Sequence, residues 1–141
     1  MIVLFDFDGV IADTETQYST FWDKTGMDYL GMKDFGHTIK GQTLVQIFAK
    51  YFDGIFISER IGANKPSPVF FDGCFARIKD FDASKTMIVG DSLSSDIQGG
   101  INAGIKTVWV NPGHLDCGDI RPDYEIASIS QLEALLEEHY G

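Results

Sequence analysis

The sequence predicts a three-layer α/β fold with a doubly wound, mostly parallel sheet, and three observations predict it. Short apolar runs rich in β-branched and aromatic residues recur at 2–5, 55–57, 87–89, 107–110 and, more weakly, 124–126. Helix-like segments lie between most of them. The runs are continuously apolar, as strands are when both faces of a sheet are covered. With 141 residues and 44% hydrophobic content, the chain is expected to fold as one domain over 1–141 around a real core.

The elements follow in order. Residues 2–5 form the first strand and run into Asp6 and Asp8. A helix over 14–25 opens with Thr14 and Gln17 at capping-box spacing and closes at Gly26. The stretch GMDYLGMKDFGHTIKG at 26–41 is glycine-rich and reads as a loop or small subdomain. A second strand is expected at 55–57, ahead of Ser58 and Glu59. Pro66 and Pro68 suit the first turn of a helix in which Phe71, Cys74, Phe75 and Ile78 share one face. After the strand at 87–89, a helix over 92–103 stops at Gly104. The last helix starts from a Ser130–Glu133 capping box and aligns Leu132, Leu135 and Leu136. Phe70, Phe71, Phe75 and Phe81 are expected in the core, with Trp22 and Trp109 partly so. Phe48, Tyr51 and Phe52 belong to the core or cover a seam near 49–53.

Charge narrows the functional classes. Twenty-one acidic residues against 11 basic ones give a net charge of −10, a field that repels nucleic-acid backbones and anionic lipid. Cys74 and Cys117 stand in no metal-ligand spacing, and the apolar runs are too short to span a bilayer, so a reducing, cytoplasmic setting is expected.

Parallel sheets bind ligands beyond the carboxyl ends of their strands, so the residues there carry the chemistry. Asp6 and Asp8 follow the first strand, and Asp91 and Asp96 lie in GDSLSSD after the third. Convergent carboxylates repel one another and call for a hard cation, and open oxygen sites suit Mg²⁺ with a phosphate. A carboxylate nucleophile, a cation and a lysine suffice for phosphoryl transfer. Lys65 in GANKPSP, just before a helix, is the natural lysine.

These residues resemble the haloacid dehalogenase (HAD) superfamily of phosphotransferases. FDFDGVIADTE resembles its first motif, NKPSP its lysine motif, and GDSLSSDIQGGINAGIKTVWVN its acidic motif. The resemblance covers most of 1–26 and 51–137; from 51 onward it is closest to the house-cleaning nucleotidase branch, and the N-terminal piece with IKGQT to the β-phosphoglucomutase branch. It implies Asp6 as the nucleophile that forms an aspartyl-phosphate and Asp8 as the general acid that then activates water. Asp6, the carbonyl of Asp8 and Asp91 would hold Mg²⁺, with Asp96 assisting, and Lys65 would bridge Asp6 and the phosphoryl oxygens. Lys40 would touch substrate from a shortened helical cap, a reduced insertion over 14–52. Asp8 argues against dehalogenation, because the dehalogenases of the family lack an acid there.

One departure stands out. The family has a further strand ending in a phosphate-binding Ser or Thr, and only residues 14–54 are available for it together with the cap. Thr43 and Thr38 are the nearest stand-ins for that hydroxyl. The gap would be closed by pairing 55–57 directly with 2–5, by 43–48, or by a second subunit in a homodimer. The expected function is Mg²⁺-dependent hydrolysis of a small phosphomonoester, a nucleotide or sugar phosphate. The alternative is a truncated core that binds metal or a partner without turnover. A phospho-accepting receiver domain is excluded by the order of motifs, because the Asp pair ends the first strand and Lys65 precedes GDSLSSD.

Overall fold

The structure is a computed structural model that describes residues 1–6, 27, 31, 33, 50 and 52–141. The expected helix at 14–25 and nearly all of the expected cap lie outside the described residues.

Four parallel strands form one sheet in the order β1 (Ile2–Phe5), β2 (Thr86–Gly90), β3 (Lys106–Val110), β4 (Tyr124–Ile126). All five residues of β2 are buried, as its unbroken apolar run requires of a central strand. Side chains alternate between the two faces. Met87 and Val89 join Val108, Val110, Ile126 and Leu132 on one face, with Val3, Phe5 and Phe52 packed against them. Ile88 joins Phe70, Phe71, Cys74 and Ile105 on the other, with Leu4 and Phe56 alongside. Both faces are therefore covered, and the three-layer expectation holds.

Helix α1 (Ser58–Ile61) is a single turn, and α2 (Pro68–Phe75) supplies Phe70, Phe71 and Cys74 to the second face. Ser67 caps α2 through its hydroxyl, with Pro68 at the first helical position; Pro66 lies outside the helix. A π-type turn (Leu93–Ile97) leads into α3 (Gln98–Ala103), which ends where predicted, at Gly104 with φ 69°. Helix α4 (Leu132–Tyr140) lays Leu132, Leu135 and Leu136 on the first face. Its entry differs from the expectation. Ser128 and Gln131 form the capping box around a 3-10 turn, in place of Ser130 and Glu133, because that turn moves the first hydrogen-bonded residues upstream.

The strand expected at 55–57 is not one. Ile57 is extended, but its carbonyl accepts from the amides of Arg60 and Ile61 at 3.0 and 3.1 Å and so opens α1. A three-residue run flanked by Gly54 and a helical turn has little backbone left for a ladder, and Phe56 anchors the segment through its side chain instead. Direct pairing of 55–57 with β1 is thereby excluded. Phe52 packs against the core of the first face. Among the described residues, no helix is long and apolar enough to cross a membrane.

Asp123 ties β4 to β3. Its carboxylate accepts from the amide and hydroxyl of Thr107, each at 3.0 Å, and from Lys106 Nζ at 2.5 Å, while its own amide donates to Thr107 Oγ1 at 2.9 Å. Burial works to raise its pKa, but the hydrogen bonds from Lys106 and Thr107 and the Lys106 charge outweigh it and hold the carboxyl below its ordinary value. A depressed folded pKa stabilises above the unfolded carboxyl value, about 3.9, and that stabilisation is lost as pH falls through the lower folded value. Asp123→Asn is therefore expected to cost about 1–2 kcal/mol at neutral pH. The difference from wild type should shrink below pH 4 or so, as urea denaturation at several pH values would show. A deficit constant across that range would contradict the assignment.

Candidate active site

The site forms where the carboxyl ends of β1 and β2 meet. The Asp6 amide donates to the Val89 carbonyl at 2.9 Å, which carries the ladder one residue past β1 and sets Asp6 beside the Gly90–Asp91 turn. Lys65 arrives from the loop between α1 and α2. That loop is pinned by Ser67 N to Asn64 O at 2.9 Å and by Asn102 Nδ2 to Pro66 O at 3.3 Å, the second contact coming from α3.

Lys65 Nζ donates to Asp6 Oδ1 and, at 2.5 Å, to Asp96 Oδ1. The three side chains are separated by 59 and 31 positions in sequence, yet converge on one ammonium. Asp96 is fully buried, and its second oxygen accepts the Ser92 amide at 3.1 Å. Its seat is made by Gly90: a β-carbon there would lie 2.2 Å from Asp96 Cβ, so only glycine lets β2 pass this close. Asp96 is thus a fixed member of the cluster rather than a solvated helix residue. Asp91 is exposed, and the cap of the following turn falls to Ser92, whose hydroxyl accepts the Ser95 amide at 3.3 Å. The carboxylate of Asp91 remains available to a ligand.

Carboxylate oxygens of Asp6, Asp91 and Asp96 lie within 4.8 Å of one another. Although Asp91 is exposed to solvent on one side, partial desolvation of its carboxyl against the cluster, reinforced by the charges of Asp96 and Asp6, pushes it above its ordinary pKa. Burial likewise raises Asp96, against the pull of Lys65. Burial would lower Lys65, but its hydrogen bonds and charge contacts with Asp6 and Asp96 prevail and keep its pKa above the ordinary value. One ammonium faces three carboxylates, so the cluster is short of positive charge. Hard oxygen donors at this spacing suit a divalent cation such as Mg²⁺. The residues present fit such an ion.

Of the residues expected at the site, Asp6, Lys65, Asp91 and Asp96 are brought together. Asp8, Lys40, Thr43 and Thr38 lie outside the described residues. Two participants escaped the sequence reading. The Ser92 amide is a backbone donor, which no side-chain pattern marks. Trp109 Nε1 donates to the Asp91 carbonyl at 2.9 Å, a contact set by the register of β3 against β2.

Comparison with known proteins gives a consistent picture. The family profile described as HAD-hydrolase-like matches residues 62–132. The pyrimidine 5'-nucleotidase PynA of Streptococcus pneumoniae is 42% identical over 90 residues, 63% of this chain and 38% of that protein. The N-acylneuraminate-9-phosphatase of Rattus norvegicus is 38% identical over 90 residues, 62% of this chain and 36% of that protein. A crystal structure of the HAD-hydrolase YfnB from Bacillus subtilis bound to magnesium superposes with a TM-score of 0.61 at 40% identity, covering 65% of this chain and 41% of that one. The chain spans well under half the length of the curated relatives it matches.

Proposed function

Because this chain belongs to the HAD-hydrolase-like family, we propose that it is a Mg²⁺-dependent phosphomonoester hydrolase acting through an aspartyl-phosphate on a small phosphorylated metabolite, a nucleotide or sugar phosphate. The observation that carries this reading is the Lys65 ammonium bridging Asp6 and the buried Asp96 at the strand ends. Similarity to a pyrimidine 5'-nucleotidase and to a sugar-acid phosphatase supports a phosphomonoester as substrate.

In this reading Asp6, one residue beyond β1, attacks phosphorus in line with the leaving alkoxide. Its Oδ1 is held by Lys65, which fixes the carboxylate's orientation and leaves the other oxygen to act as nucleophile. Lys65 also offers positive charge to the phosphoryl oxygens, where charge develops in the transition state. Asp96 anchors the Lys65 ammonium from the buried side. Asp8, by resemblance, protonates the departing oxygen and then takes a proton from the water that hydrolyses the acyl phosphate. Asp6, Asp91 and, by resemblance, the carbonyl of Asp8 would hold Mg²⁺, with Asp96 assisting from nearby, and the ion when bound would offset the negative charge of the cluster and of the phosphate.

A second reading has its own observation. The segment 55–57, which could have stood beside β1, forms no strand. A core that lacks the family's phosphate-binding strand would bind metal or a partner without turnover. Hydrolysis of an aryl phosphate with Mg²⁺, and again with excess chelator, separates the two. Turnover is expected with the metal and is expected to vanish with the chelator. A folded, Mg²⁺-binding protein with no turnover would favour the inactive core.

A further inference from the structure

The three carboxylates of the cluster are not held alike. Asp6 is oriented by Lys65, and Asp96 by Lys65 and the Ser92 amide. No side chain or amide of another described residue hydrogen-bonds the Asp91 carboxylate, so its direction depends on its backbone. That backbone sits just beyond β2, where the ladder has ended. Its carbonyl is engaged by Trp109 Nε1 at 2.9 Å. Trp109 pairs in register with Gly90 and is 3% exposed, so its ring is fixed by the core. Indole has one donor and no acceptor, and a buried ring has few other ways to satisfy it.

We propose that Trp109 is a positioning residue of the cation site, holding the Asp91 backbone so that the carboxylate stays turned toward Asp6 and Asp96. The inference rests on the Mg²⁺ reading above and extends it to a residue that touches neither metal nor substrate. Trp109→Phe keeps an aromatic ring in the core but removes the indole donor together with the volume of the fused ring, so some loss of stability is expected alongside the loss of the hydrogen bond. Loss of an outer-shell hydrogen bond commonly costs a metal site about 10–100-fold in affinity, and an effect near about tenfold is expected here.

The test is isothermal titration calorimetry of wild type and Trp109→Phe with MgCl₂, beside the thermal midpoint of each metal-free protein. A rise in the Mg²⁺ dissociation constant of about tenfold, titrated well below the variant's own metal-free midpoint so that only folded protein is read, supports the assignment. An unchanged constant overturns it, whether or not the midpoint falls, because Trp109 would then serve the core alone. Wild type that binds no Mg²⁺ overturns the metal reading and this inference together. A second measurement covers a variant that does not fold. In Trp22→Phe, Trp109 is the only tryptophan left of the chain's two. Its emission is expected to change on Mg²⁺ titration with the calorimetric midpoint, and the change is expected to be absent when Asp91→Asn is added. Emission that stays constant while calorimetry reports binding overturns the coupling.

Discussion

Asp6→Asn is expected to lower aryl phosphate hydrolysis by about a thousandfold or more, on the scale seen when a covalent nucleophile is removed. Asparagine preserves the shape of the side chain, and its carbonyl oxygen can still accept from Lys65. It also removes one of three carboxylates that crowd within 4.8 Å, so like-charge repulsion falls. The variant should therefore be at least as stable as wild type, and its inactivity would be chemical rather than structural. Steady-state rates at saturating Mg²⁺, with denaturation curves for both proteins, check this. Activity within about tenfold of wild type would remove Asp6 from the role of nucleophile and sink the aspartyl-phosphate.

Lys65→Met is the second large effect, and it falls on stability as well as rate. The lysine side chain is 21% exposed, whereas that of Asp96 is 1% exposed, so deleting the ammonium strands a buried carboxylate. Breaking a buried pair by removing one partner typically costs about 3–5 kcal/mol. About 3 kcal/mol is expected here, because Lys65 is partly solvated and the Ser92 amide still serves Asp96. The sign with pH follows from the charge left behind. Without Lys65, the pKa of Asp96 rises further, and the native state favours its protonated form. The deficit should be greatest at neutral pH and narrow on acidification, with Mg²⁺ restoring part of it. Urea denaturation with and without Mg²⁺ measures all three. A loss below about 1 kcal/mol would put the bridge in the class of surface pairs and weaken its claim to organise the site.

Burial, not exposure, separates these side chains from the other acidic residues of a chain with net charge −10. Lys106–Asp123 makes a comparably short contact at 2.5 Å, but it fastens β3 to β4 and faces neither strand end with a second acid. The Lys65 cluster pairs a buried acid with an open one in Asp91, which is what binding an outside ligand requires.

Much of the fold was determined by the sequence alone. The apolar runs of β2 and β3, the Gly104 stop and the leucine stripe of α4 are local patterns of period and turn chemistry, and each reappears in the structure. Asp6, Lys65, Asp91 and Asp96 were legible as candidate site residues because chemistry-bearing side chains follow strands or precede helices at recognisable spacing, and the structure brings the four together. Tertiary structure decided the rest. Residues 55–57 have strand-like side chains, but a strand exists only where a neighbour supplies its ladder, and the Ile57 carbonyl is committed to α1. That Asp96 is fully buried is not written in its local sequence: Gly90 and Lys65 enclose it, because burial is a property of what packs around a side chain. Trp109 reads as core, and the register of β3 against β2 is what brings its indole to Asp91. Local pattern sets which elements form, whereas register and packing between distant segments set which polar groups meet.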